Sequence, residues 1–125
     1  MVHAWSTCGH RLGLDGHEDD PRVVAVKDWL RSNYTLEENP GMGQQGYFYY
    51  LYLLTKALTA SGEDRLPLGH GAEVPWRDEV ARRLLQLQQA DGSWVNPEPR
   101  WWEADSVLVT SYAVMALELL EWKMP

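Results

Sequence analysis

Between Tyr47 and Leu54 the chain reads Tyr-Phe-Tyr-Tyr-Leu-Tyr-Leu-Leu, and the first charge after it is Lys56. This run predicts a helix over about 47–60 with no polar face, and such a helix is buried on most of its sides. Val107 to Leu120 is again apolar nearly all round, Glu118 apart, and Asp105 or Ser106 supplies its cap. The segments between are amphipathic. Asp20 as N-cap and Pro21 at the first helical position start a helix to about Asn33. Its stripe is Val23, Val26 and Leu30, widened by Trp29, with Lys27, Asp28 and Arg31 opposite. Trp76 to about Ala90 has the stripe Val80, Leu84 and Leu87, and Gly92 sits where a C-cap glycine belongs. An amphipathic helix covers one surface, whereas an all-apolar helix must be sandwiched. Alternating the two gives an all-α fold of two stacked layers, one outer and one inner.

Composition narrows the function classes. The 125 residues suit one domain, and 45% hydrophobic with 23% charged residues is a globular mix that disfavours disorder. A net charge of −7 argues against nucleic acid, whose phosphates need clustered Lys and Arg. One cysteine allows neither an internal disulfide nor a four-cysteine zinc site. No run reaches the roughly 18–20 apolar residues of a membrane span. Met1 to Trp5 lacks the basic start of a signal peptide, and nothing assigns a compartment. His3 to Leu12 is a weak helix candidate. Met1 falls inside that pattern, so the natural N-terminus is expected elsewhere. The unusual count is seven Trp and six Tyr against one Phe.

The helices also repeat. Trp29-Leu30 precedes Leu84-Leu85 by 55 residues, and Ala57-Leu58 precedes Ala116-Leu117 by 59. Each unit is an outer helix, a long loop and an inner helix, about 20–60 and about 76–121. With the weak N-terminal helix this makes about two and a half hairpins in one domain, 1–125, near the minimum for an independent array.

Leu84-Leu85-Gln86-Leu87-Gln88-Gln89-Ala90-Asp91-Gly92-Ser93-Trp94 resembles the Gln-Trp repeat of the squalene–hopene cyclase and protein prenyltransferase superfamily. The matching positions are Gln88, Asp91, Gly92 and Trp94, while Arg83 and Glu79 depart from the upstream half. Asn33 to Gly43 with the following Tyr run resembles bacterial prenyltransferase/squalene-oxidase repeat proteins. So do Arg100 to Asp105 and Val109 to Ala113. The resemblance covers about 20–121. It implies a partial α/α toroid, the C-terminal portion of a longer chain, whose remainder or self-association covers the open arc. For the cyclase branch it implies carbocation cyclisation of a hydrophobic polyprenyl ligand, with aromatic faces stabilising the cations in a dry cavity. Tyr47, Phe48, Tyr49, Tyr50, Tyr52 and Tyr112 suit such a wall, and equally suit a packed core.

The chemistry that the resemblance calls for is incomplete. The cyclase Asp-X-Asp-Asp acid is absent. His17-Glu18-Asp19-Asp20 comes nearest, but Asp20 precedes Pro21 and reads as a cap. The zinc-binding Asp-X-Cys pair of the prenyltransferase branch is absent too: Gly92-Ser93 follows Asp91, and Cys8 is remote. No metal and no cofactor are expected. Gly41 to Gly46 spells Gly-X-Gly-X-X-Gly, but no strand precedes it, so a flexible loop is the better reading. Asn33-Tyr34-Thr35 is a formal glycosylation sequon without secretory context. His3 and His10, seven apart, have no carboxylate partner in their segment.

The best candidate site is the loop Trp101-Trp102-Glu103-Ala104-Asp105, with two indoles and two carboxylates before an inner helix. Its catalytic candidates are Glu103 and Asp105, and its ligand-contact candidates are Tyr47, Tyr50, Trp101, Trp102 and Tyr112. The competing expectation is that Asp105 only caps the helix while the tryptophans cover an edge. Two other classes remain open beside the cyclase: a carbohydrate-active α/α toroid and a non-catalytic binding scaffold.

Overall fold

The computed structural model describes residues 20–121. The His3–Leu12 helix expectation, both His3 and His10, and Cys8 lie outside them. The described residues are mostly helical, with α1 Pro21–Asn33, α2 Tyr47–Ser61, α3 Trp76–Leu87 and α4 Ser106–Glu121. The long loop after α2 holds a small antiparallel pair, β1 Leu66–Pro67 and β2 Glu73–Val74, with Leu66 opposite Val74. A 3₁₀ turn, Arg100–Trp102, precedes α4.

Capping follows the side chains. Asp20 accepts from the Arg22 backbone N–H at 2.8 Å, and Pro21 opens α1. Asp105 accepts from the Val107 N–H at 2.9 Å and starts α4 in the same way. Helix α2 has no such cap of its own, because its N-cap is Gly46 at φ +65°. A glycine takes that left-handed conformation at little steric cost.

The core is one cluster. Phe48, Leu51, Leu54 and Leu58 of α2 meet Val109, Ala113, Ala116 and Leu120 of α4, with Trp76, Val80 and Leu84 of α3 closing the third side. The α2–α4 pair is the most extensive helix contact. Two alanines on α4 at three-residue spacing let the helices approach closely. Thr55 and Thr59, both fully buried, donate to the Leu51 and Thr55 carbonyls at 2.8 and 2.6 Å, so their hydroxyls carry no desolvation cost unmet.

Several expectations change. Of the α1 stripe only Leu30 is buried, while Val26 and Trp29 are about half exposed. The helix is attached at its C-terminal end. Gly69 donates to the Arg31 carbonyl at 3.2 Å, and Tyr34 donates to Glu79 of α3 at 2.9 Å. Helix α3 ends at Leu87 rather than near Ala90, and Gly92 lies in the following turn at φ +90°. Helix α2 is not enclosed: Tyr49 and Leu53 face outward.

Candidate functional site

The loop before α4 is anchored by Glu103, whose side chain is 0% exposed. Its Oε1 accepts from the Phe48 N–H at 2.9 Å and its Oε2 from the Tyr49 N–H at 3.0 Å. These are orphan donors in the first turn of α2. Glu103 therefore caps a helix 55 residues away, where Gly46 offers no side chain, and its charge faces the positive end of the helix. Asn96, also buried, donates to Glu103 Oε1 at 3.1 Å and to the Gln44 carbonyl at 2.6 Å. The Asn96 backbone N–H donates to the Glu103 carbonyl at 2.9 Å.

Arg100 fixes the other side of the turn. Its guanidinium donates to Gln45 at 2.8 Å and lies 4.5 Å from the Trp101 ring centroid. Between these two anchors Trp101 and Trp102 sit at φ +55° and +67°. Left-handed backbone costs a non-glycine residue roughly 1–2 kcal/mol, so consecutive tryptophans there are a concentrated strain. They face different surroundings. Trp101 is 48% exposed and rests against Gly46, whereas Trp102 is 81% exposed.

Anchoring this loop on α2 creates a cleft of about 450 Å³. Tyr49, Tyr50 and Leu53 of α2, Tyr112 of α4, and Trp101, Glu103, Asn39, Met42 and Gly46 line it. That volume lies within the roughly 300–1,000 Å³ of small-molecule sites. The Tyr49 and Tyr112 rings are 5.5 Å apart on the cleft wall, and Tyr112 also stacks at 6.1 Å on Tyr52, which is not among the lining residues. Tyr50 donates to the Thr35 carbonyl at 2.8 Å, and burial pushes its phenol up to about 12. Burial, with the Glu103 charge adding to it, also raises Tyr112.

The sequence candidates thus separate. Tyr50, Trp101, Glu103 and Tyr112 border the cleft, joined by Tyr49. Tyr47 does not. It is 1% exposed, and its hydroxyl donates to the Leu36 carbonyl and accepts from Arg83 Nε at 2.9 Å. Trp102 and Asp105 are not among the residues that line it. Met42, Leu53 and Asn39 also line it, and none of them is a site candidate from the sequence. The Pro- and Gly-rich loop gave no sign that it closes on itself just before α2, where Asn39 Nδ2 donates to the Gln45 carbonyl at 2.9 Å.

The Gln88–Trp94 segment is a structural knot. Gln88 donates to the Gly92 carbonyl at 2.9 Å, and Asp91 accepts from the Ser93 N–H at 3.0 Å. The Ser93 bonds lower the Asp91 carboxyl. The buried Trp94 indole donates to the Leu84 carbonyl at 2.8 Å, closing the C-terminal end of α3. A second, polar cleft of about 320 Å³ lies among Tyr34, Glu37, Glu79, Arg82, Arg83 and Gln86. Its Arg83, Glu79 and Tyr34 are tied up in the bonds that join α3 to the loop after α1.

Among the described residues no three His, Cys, Asp or Glu side chains cluster to hold a metal ion, and no helix is long and apolar enough to cross a membrane. Comparison with protein-family models, with curated proteins and with solved structures finds no match.

Proposed function

We propose that this chain forms an arc of an α/α toroid whose aromatic cleft binds a hydrophobic polyprenyl ligand. In a longer terpenoid cyclase-like chain that arc would be one wall of the reaction chamber. The observation that carries the reading is the cleft between α2 and the 96–105 loop, walled by Tyr49, Tyr50, Trp101 and Tyr112 with Met42 and Leu53. Aromatic faces and thioether or aliphatic carbon offer dispersion and apolar burial to a hydrocarbon chain.

The role assigned is binding rather than proton donation. Cyclisation needs an acid directed at an alkene. Glu103 instead accepts N–H hydrogen bonds on both oxygens, which hold it against the α2 backbone, and Asp105 caps α4. The same commitment disfavours paired-carboxylate sugar cleavage. It supports a non-catalytic scaffold as the second reading.

Titrating the chain with farnesol and with squalene, followed by tryptophan fluorescence and by melting temperature, tests the proposal. Saturable binding is expected, weakened roughly tenfold by Tyr49→Ala in a chain whose circular dichroism is unchanged. Saturable retention of soluble oligosaccharides without any response to either lipid would contradict it.

A further inference from the structure

Tyr49, Tyr50, Trp101 and Tyr112 line the cleft, and among the described residues its one ionisable lining group apart from tyrosines is the Glu103 carboxylate, with no Lys, Arg or His. Ring faces attract cations through their quadrupole, and several rings around one space form the arrangement that recognises quaternary ammonium groups. The helix α2 N-terminus offsets roughly half of the Glu103 charge, leaving about half a negative charge at the cleft floor. The net charge of −7 adds a field of the same sign. The described residues already use this attraction beside the cleft, with Arg100 held over the Trp101 ring at 4.5 Å, and elsewhere with Lys56 over Tyr52, Arg77 over Trp76 and Arg83 over Tyr47. Among the described residues no cation sits over Tyr49, Tyr50 or Tyr112, one face of Tyr112 being stacked on Tyr52.

We propose that the cleft selects ligands bearing a methylated ammonium group, held among Tyr49, Tyr50 and Tyr112 above Glu103. An apolar chain attached to that group would lie along Met42 and Leu53. This rests on the reading of the cleft as a ligand site, but not on the ligand being a polyprenyl hydrocarbon. A neutral apolar group of equal shape gains the burial without the charge attraction. An anionic head such as a diphosphate meets repulsion from Glu103, and among the described residues no basic side chain lines the cleft to offset it.

The test titrates the full chain with choline, with its neutral isostere in which a tert-butyl group replaces the trimethylammonium, and with farnesol. Choline is expected to bind roughly tenfold or more tightly than the isostere. Tyr49→Leu and Tyr112→Leu should each remove most of that preference while the melting transition stays cooperative. Equal binding of choline and isostere overturns the inference. So does full choline affinity in a folded chain carrying both substitutions. Farnesol binding with no choline binding also overturns it, yet leaves the apolar-ligand reading standing; binding of none of the three overturns both. Co-sedimentation with phosphatidylcholine vesicles would identify a lipid headgroup as the source, and free choline binding without sedimentation a soluble ligand. Either result upholds the proposal.

Discussion

The indole of Trp101 rests on the bare Cα of Gly46. A Cβ at Gly46 would stand 2.9 Å from Trp101 Cε3 and 3.1 Å from Cζ3. The same residue sits at φ +65°. Gly46→Ala therefore incurs both left-handed strain and overpacking, and about 2–4 kcal/mol of destabilisation is expected from chemical denaturation. Because Gly46 and Trp101 both line the cleft, ligand affinity should fall with it.

Glu103 is the pin of the loop. Glu103→Ala leaves the buried Phe48 N–H and the part-buried Tyr49 N–H without their acceptor and the Asn96 amide with only the Gln44 carbonyl, and about 3–5 kcal/mol should be lost. Glu103→Gln keeps one acceptor oxygen and should lose less. A denaturant midpoint for each variant checks the ordering Glu, Gln, Ala.

The two strained tryptophans should respond in opposite directions. Trp102 is almost fully exposed, so Trp102→Asn sacrifices little burial and relieves left-handed strain, and a gain of about 1 kcal/mol is expected. Trp101 buries half its surface, on the order of 100 Å², worth about 2–3 kcal/mol. That exceeds its strain, so Trp101→Asn should destabilise. Equilibrium unfolding of both variants side by side tests the contrast.

Alkaline pH should unfold the chain earlier than surface tyrosines alone would. Burial raises the Tyr50 phenol from 10.0 to about 12, and Tyr34 and Tyr47 are raised as well. The unfolded chain then releases protons first. Stability is fully present below pH 10.0 and is lost as pH rises toward about 12. Tyr50→Phe should flatten that slope while losing about 1 kcal/mol at neutral pH with the Thr35 bond. Melting temperature against pH measures both effects.

What could be read from the sequence was local. Asp20 with Pro21 and Asp105 before Ser106 fix helix starts through neighbours two residues away, and both appear as expected. What could not be read depends on distant backbone. No side-chain identity at Phe48 or Tyr49 announces that their N–H groups receive Glu103, because the donors are common to every residue but proline. The β1–β2 pair is too short for periodicity to reveal it. The Tyr47–Leu54 run signals a buried helix. In the structure α2 presents Tyr49 and Leu53 outward, and their apolar side chains become cleft wall instead of core. Apolarity all round gives no sign of which face meets a ligand rather than a neighbouring helix.

An amide-resolved NMR titration of the full chain with farnesol tests the central claim most directly. Saturable shifts should map to Tyr49, Tyr50, Leu53, Trp101 and Tyr112 and leave Arg82 and Gln86 of the polar cleft unmoved. Shifts confined to the polar cleft, or no saturable shift at the aromatic residues, would contradict it.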